Sequence, residues 1–204
     1  MTLPRQLDLT ILKGDTFTLV ERLSLETTPY IYKAITGITK AGPAVITSAA
    51  HGIKAGWRVA VVNVGGMRQI KSKNWPPRST DFHLATAVDT NTVTLNDVDS
   101  TDYTAFTSGG SLVYWTPRSI ASCTARMMIR ATAEATATLD SLVSPTDIVL
   151  DDTEHTVSVS ISATDTAAYT FTQGVYDLEL IVTATGVVTK LLSGDVTILP
   201  EVTR

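Results

Sequence analysis

The segment 174–204 constrains the fold most, because its apolar side chains recur at every second position. From 176 to 182 the even positions are apolar, and Asp177 and Glu179 lie between them. This period is typical of a half-buried β-strand. A turn is predicted at 184–186, and further strand sequence follows, interrupted at Ser193 and Gly194 and ended by Pro200. The segment therefore predicts two or three antiparallel strands.

Strand-like sequence continues through most of the chain, because Thr and Val are abundant and helical periodicity is nearly absent. Glu21 falls on the same face as Phe17 and Leu19, so a bulge or strand break is predicted there. A single helical turn is predicted at 163–169. Strands are predicted at 7–11, 16–25, 44–47, 57–63, 82–89, 92–95, 110–114, 123–130, 147–150 and 156–161.

The chain changes character twice, which predicts two β domains. From about residue 35 it becomes richer in Gly and in short strands, and after Trp115-Thr116-Pro117 the first texture returns. We therefore predict a discontinuous β-sandwich of residues 1–34 and 116–204, interrupted by an inserted β module of residues 35–115.

Composition limits the classes of function. The chain has 204 residues, 44% of them hydrophobic and 18% charged, which is sufficient for a buried core. A net charge of -4 gives no global attraction to nucleic acid or to an anionic membrane. No signal peptide or membrane-spanning stretch is recognised, so synthesis in a cytoplasm without membrane insertion is expected. Cys123 is the sole cysteine, which excludes an internal disulfide framework.

Four segments carry a resemblance to a known family. They are, in order, DLTILKGDTFTL, TARMMIR, SATDTAAYTFTQGVYDLEL and LLSGDVTILPEVTR. Together they resemble the immunoglobulin-like β-sandwich of tailed-phage and prophage structural proteins, including the N-terminal domains of some upper-baseplate proteins. The inserted ITKAGPAVITSAAHGIKAGWRVAVVNVGGM is similar to the small FCCH-type β-barrel that recurs in phage tail proteins.

The resemblance implies a virion part and no enzymatic chemistry. The expected protein is a structural component of a tail, baseplate or collar, made in the host cytoplasm and localised in the virion. It would dock through the sandwich and contact neighbouring subunits, fibres or the host through the insert, as a symmetric homo-oligomer. Two alternatives are a carbohydrate-binding adhesin and an enzyme acting on the cell envelope. The adhesin would use Trp57, Trp75 or Trp115 with Tyr114, and the enzyme isolated acids such as Asp81 and Glu154.

A long polar loop, MRQIKSKNWPPRSTDF, supplies the candidate contact site. An aromatic residue beside two prolines on a basic loop fits stacking on a sugar or anchoring in a partner pocket. The alternative is that Trp75 folds back over the core of its own module. Nucleic acid is the least favoured ligand, because no nucleic-acid-binding fold is recognised. The candidate contact residues are Trp75, Pro76, Pro77, Arg78, Arg68, Lys71 and Lys73.

The remaining reactive side chains are better explained without metal or catalysis, and no cofactor is expected. His51, His83 and His155 lack ligand spacing for a metal site. Cys123 alternates with apolar residues and is predicted to belong to the core. A D-x-D-x-x-D cluster resembles part of a calcium loop but lacks its glycine and distal glutamate, so a solvated loop is favoured. Its residues are Asp97, Asp99 and Asp102.

Charge is segregated within the insert. Between residues 27 and 80 every formally charged side chain is basic, and between 81 and 114 every one is acidic. One interpretation is a module with two oppositely charged faces, suited to docking by complementarity. The other is that antiparallel pairing brings the two halves together and neutralises them locally.

Overall fold

A computed structural model describes residues 5–25 and 30–201, and of Ala87 the backbone alone. The last residues of the PEVTR motif, 202–204, lie outside the described residues. The chain divides into two compact units, the first of residues 1–23 and 118–204 and the second of residues 24–117. The connecting segments run side by side: the Leu25 amide donates to the Thr116 carbonyl at 2.8 Å, and the Arg118 amide to the Leu23 carbonyl at 3.1 Å.

Almost all regular structure in the described residues is β, which confirms the predicted all-β class. The first unit begins with β1 (Arg5–Gln6), β2 (Leu9–Leu12) and β3 (Phe17–Arg22). The second unit contains β4 (Ile31–Ala34), β5 (Gly37–Ile38), β6 (Ala44–Thr47), β7 (Arg58–Val62), β8 (His83–Val88), β9 (Thr92–Leu95) and β10 (Ser111–Tyr114). The first unit resumes with β11 (Cys123–Arg130), β12 (Asp140–Val143), β13 (Ile148–Asp151), β14 (Thr156–Ile161), helix α1 (Ala163–Ala168), β15 (Gln173–Val182) and β16 (Val188–Leu199).

The first unit is a sandwich of two sheets. One sheet has the order β12-β11-β15-β16, with β1 and β2 both parallel to β16, and the other has the order β13-β14-β3. Met127 and Leu178 are paired in the first sheet and share one buried cluster with Ile148 and Val159 of the second. With β3 as strand B and β11 as strand C, the order of neighbouring strands in the two sheets is that of an immunoglobulin-like sandwich, with the opening strands β1 and β2 beside β16.

The strand break predicted at Ser193 and Gly194 was wrong, because β16 is continuous from Val188 to Leu199. The glycine has another role. A Cβ at Gly194 would lie 2.3 Å from the Leu7 carbonyl oxygen, and the Leu7 amide donates to the Ser193 carbonyl at 2.9 Å. Gly194 therefore allows the N-terminal segment to approach β16 closely.

The break predicted at Glu21 was also wrong, since β3 pairs with β14 in one register from Phe17 to Arg22. Glu21 keeps the inward-leaning position and forms an ion pair with Arg5. Burial raises the pKa of the Glu21 carboxyl, and Arg5 opposes that rise. Strand β12 was missed, because its segment follows an Ala- and Thr-rich connection without clear alternation.

The second unit has the strand order β4-β10-β7-β8-β9-β6-β5. Among the described strands no pairing joins β4 to β5, so a closed small barrel stays a prediction. Strand β4 lies within the 1–34 segment assigned to the sandwich, yet it pairs with β10 of the second unit. No strand was predicted at 31–34, and the predicted boundary at residue 34 rested on a change in composition, which does not report how strands pair.

Both faces of β7 are buried. Val59 and Val61 belong to the main core of the second unit, whereas Ala60 and Val62 face a smaller cluster that includes Phe82. A strand covered on both sides needs a second layer of structure, and here the layer includes the segment that precedes β8. No helix in the described part of the chain is long and apolar enough to cross a membrane.

Candidate functional site

The Trp75 loop, defined here as residues 71–81, follows the 3-10 turn Arg68–Ile70 and ends in the 3-10 turn Ser79–Asp81. Pro76 and Pro77 lie in its middle and restrict its backbone. The hydroxyl of Ser72 donates to the Asn74 carbonyl oxygen at 2.8 Å, which closes the turn that leads to Trp75. The loop therefore contains its own turn structure rather than extending freely into solvent.

Asp81 holds the two sides of the loop together. Its buried carboxylate accepts hydrogen bonds from the Lys73 amide at 3.1 Å, the Asn74 side-chain nitrogen at 2.9 Å and the Arg78 amide at 2.8 Å. The bond from Arg78, followed by that from Asn74, lowers the pKa of Asp81 to about 2. The carboxylate is thus ionised at neutral pH and accepts only.

Trp75 is presented to solvent at the tip of this loop. Its side chain is 65% exposed. The centre of its ring lies 6.2 Å from the ring centre of Tyr32 on β4, and Tyr32 is 46% exposed. Trp75 therefore does not cover the core of its unit. Tyr32 was not among the predicted contacts, although its outward position follows from the alternation of Ile31, Tyr32 and Lys33 in β4.

The structure divides the other predicted contact residues into two groups. Pro77 is buried, and its carbonyl oxygen accepts a hydrogen bond from the Tyr30 hydroxyl at 3.0 Å, so it helps to pack the loop. The exposed members are Arg68, Lys71, Lys73, Pro76 and Arg78.

A groove of about 160 Å³ lies beside Trp75. Its lining residues include Trp75, Asn63, Lys71, Lys73 and Asn74. Because Asp81 accepts only, the Asn74 amide must turn its nitrogen toward that carboxylate, which directs its oxygen away from it. Arg68 and Arg78 lie outside the lining, so the structure brings only part of the predicted set together.

The other aromatic residues considered for a stacking platform serve packing. Trp57 packs against the main core of the second unit, 5.7 Å from the ring of buried Tyr114. Trp115 is 40% exposed and lies 4.3 Å from the ring of Tyr30. Tyr114 is buried, so it offers no exposed ring beside Trp57, Trp75 or Trp115.

The three histidines occupy separate environments. His51 is buried, and its Nδ1 accepts from the Ile53 amide, so its Nε2 donates to the Thr92 carbonyl at 3.2 Å. His83 pairs with Asp97 at 2.8 Å, and the Nδ1 of His155 lies 3.0 Å from the Arg118 carbonyl oxygen.

The acidic cluster and the cysteine are likewise engaged locally. Asp99 accepts from the amide and hydroxyl of Thr101, and the hydroxyl bond lowers the pKa of that carboxyl. Within 5–25 and 30–201 no group of three or more His, Cys, Asp or Glu side chains is arranged to hold a metal ion. Cys123 is partly buried and packs against the core of the first unit.

The outer face of the first unit carries a second concavity, of about 510 Å³. Its charges are paired: Arg126 contacts Glu179 at 2.8 Å, and Lys190 contacts Asp177 at 2.6 Å. Neighbouring Arg130 donates to the Ala135 and Thr136 carbonyl oxygens. These contacts stabilise the strands and their connecting loop and leave no concentrated charge of one sign.

No protein-family model matches the chain, and no curated protein matches it. The geometry of the Trp75 loop is thus the strongest feature from which a binding role can be argued.

Proposed function

We propose that the protein is a non-enzymatic structural component of a tailed-phage virion, in a tail, baseplate or collar. The first unit docks on the particle, and the second contacts neighbouring subunits, fibres or the host. Its partners are other virion proteins, and symmetric copies of the chain assemble in the particle.

The proposal is supported by one observation: the segments that resemble phage structural proteins lie side by side in one sheet of the first unit. ARMMIR in β11 pairs directly with YDLEL in β15, and β15 pairs with LLSGDVTIL in β16. DLTIL in β2 runs parallel to the end of β16. Segments that lie far apart in sequence thus form one sheet, which supports their origin in a single structural family.

The second sheet of the sandwich supplies a face for docking. Val20 and Val149 are 56% and 58% exposed and lie in one row across Ser158. The next row pairs exposed Thr18 with Ser160. These two uncharged rows are bordered on the same face by the row that carries exposed Arg22 and Asp151. An apolar patch with a charged border of this kind fits against a neighbouring virion subunit better than against water.

The test uses a phage or prophage that encodes the chain. Particles assembled with the natural protein should contain it at a fixed ratio to other tail proteins, as measured by quantitative mass spectrometry of purified virions. When the gene is replaced by the V20D/V149D variant, incorporation should fall strongly, because two carboxylates would be buried against the neighbour.

The control is Val187→Asp, which places one carboxylate at a position that is also 56% exposed but lies outside this face. It should enter particles normally. Circular dichroism and thermal unfolding of the purified variants separate failed docking from failed folding. Absence of the natural protein from purified virions contradicts the proposed function, whereas normal incorporation of folded V20D/V149D contradicts only this docking face.

A further inference from the structure

The groove beside Trp75 combines an exposed aromatic ring, an oriented amide and two ammonium groups. We propose that it binds an acidic saccharide, with one sugar ring stacked on Trp75 and with Lys71 and Lys73 facing carboxylate or phosphate groups of the ligand. Such binding does not depend on the virion role proposed above.

The aromatic part of the site is exposed and held in place. Trp75 is 65% exposed, and Tyr32 beside it extends the apolar surface. The face of an aromatic ring is electron-rich and attracts the C–H groups on one side of a sugar ring. The three hydrogen bonds to Asp81 fix the loop before a ligand arrives, so little conformational entropy is lost on binding.

The polar part of the site suits sugar hydroxyls. The Asn74 amide is oriented by Asp81, and Asn63 also lines the groove. An amide offers both donors and an acceptor, which matches a hydroxyl that donates and accepts. The cavity of about 160 Å³ is below the ordinary range for an enclosed small-molecule pocket, so it fits one ring of a longer chain.

Charge selects an acidic saccharide over a neutral one. Lys71 and Lys73 line the groove, and neither forms an ion pair with a carboxylate in the described residues. The Asp81 carboxylate is already engaged by three donors of the loop. By sequence the second unit has eight basic and six acidic side chains, so it is positive although the whole chain has a net charge of -4.

Single-stranded nucleic acid fits this surface less well. Proteins that bind it place successive bases on several aromatic rings along a basic track. Here one exposed pair, Trp75 and Tyr32, stands beside a groove of single-ring size. The ligand is therefore assigned as a saccharide, and binding of nucleic acid is measured as a competing outcome.

Binding is measured on the full chain by isothermal titration calorimetry and by NMR shifts of the Trp75 indole N–H. The probes are an oligogalacturonate, mannose 6-phosphate, their neutral counterparts maltoheptaose and mannose, and oligo(dT). At least one acidic saccharide should bind about tenfold more tightly than its neutral counterpart. Its affinity should fall as salt rises from about 0.05 M to about 0.5 M, because the lysines are exposed.

The variants separate stacking from charge. Trp75→Ala and Trp75→Leu should each weaken binding about tenfold, since leucine keeps apolar area but lacks an aromatic face. The double variant K71A/K73A should lose the preference for the acidic probe. The matched control is Lys40→Ala, an exposed basic residue of the same unit outside the groove, which should bind normally.

Three results would overturn the proposal: no acidic saccharide binds, acidic and neutral probes bind equally, or oligo(dT) binds more tightly than either acidic saccharide. Binding that persists in both Trp75 variants would also overturn it. Because the Trp75 and Lys side chains are exposed, all variants should unfold at nearly the temperature of the natural chain. Incorporation into virions is measured separately, so loss of saccharide binding does not bear on the proposed function.

Discussion

Carboxylates form ion pairs on the outer face of the first unit, whereas in the loops of the second unit they accept hydrogen bonds that hold the loops. On the first unit, Glu179 and Asp177 pair with Arg126 and Lys190 across strands. In the second unit, Asp81 accepts instead from loop amides and from the Asn74 side chain. A carboxylate paired with a cation cancels its charge, whereas one that organises a loop leaves nearby cations available. Beside the Trp75 loop, Lys71 and Lys73 are thus left without a carboxylate partner among the described residues.

Asp89 shows the same use of a carboxylate elsewhere in the second unit. It accepts from the Asn91 amide and from the amide and hydroxyl of Thr92, all within the turn between β8 and β9. The Asn91 bond leads the effects that lower the pKa of Asp89. Loop shape in this unit thus depends on ionised aspartates.

The largest effects should test whether the two cores are independent. Leu178 and Leu112 are fully buried in central strands of the first and second units respectively. Changing either to Ala should lower the free energy of unfolding of its own unit by about 3 kcal/mol, through lost burial and a cavity. Hydrogen exchange followed by mass spectrometry should show faster exchange in the altered unit only. Equal acceleration in both units would show that they unfold together.

A medium effect should come from two serines of the second unit that are both fully buried. Ser100 accepts from the Ala41 amide and donates to the Thr39 carbonyl oxygen at 2.7 Å, so Ser100→Ala should cost about 2 kcal/mol. The Ser48 hydroxyl has no hydrogen-bond partner among the described residues, so Ser48→Ala should stabilise the unit by about 1 kcal/mol. Chemical denaturation measures both. Destabilisation by Ser48→Ala would show that its hydroxyl is satisfied in solution.

The smallest effect on global stability should be the acid response of the Trp75 loop. A carboxyl whose pKa is lowered on folding stabilises the folded state fully at pH values above its ordinary pKa, which is 3.8 for Asp81. This stabilisation is lost as the pH falls through the folded-state pKa of about 2. The amide signals of Lys73 and Arg78 should therefore shift with a midpoint near about pH 2 in NMR spectra, where the folded Asp81 carboxyl takes up its proton.

In Asp81→Asn this transition should disappear, because the amide does not titrate in that range. Asp89→Asn is the matched control, a change to another loop carboxylate of the same unit, and it should retain the transition. A transition that survives in Asp81→Asn would assign it to a different group and weaken the role of Asp81 in holding the loop.

The alternation of 176–182 was sufficient to predict β15, and that of 123–130 predicted β11 at its observed bounds. An apolar residue at every second position indicates a strand with one buried face, and both β11 and β15 have one buried face. This pattern does not report the neighbouring strand, so the pairing of β4 with β10 was not predicted. Gly194 was misread for a related reason: the close approach of Leu7 is a contact between distant parts of the chain.

The candidate site was predictable in part. Trp75 and the basic residues were recognised from an aromatic next to prolines on a polar loop. The roles of Tyr32 and Asn63 depend on how the loop meets β4 and the end of β7, which no local pattern encodes. The burial of Pro77 was missed for the same reason.

The parallel pairing of β1 and β2 with β16 sets an order for folding during synthesis. Residues 5–12 emerge from the ribosome early but find their partner only after residues 188–199 have been translated. All residues of the second unit, 24–117, are available long before that. The second unit can therefore fold before β16 has been made and before β1 and β2 can pair with it. Until then β1 and β2 need protection from pairing with other nascent chains.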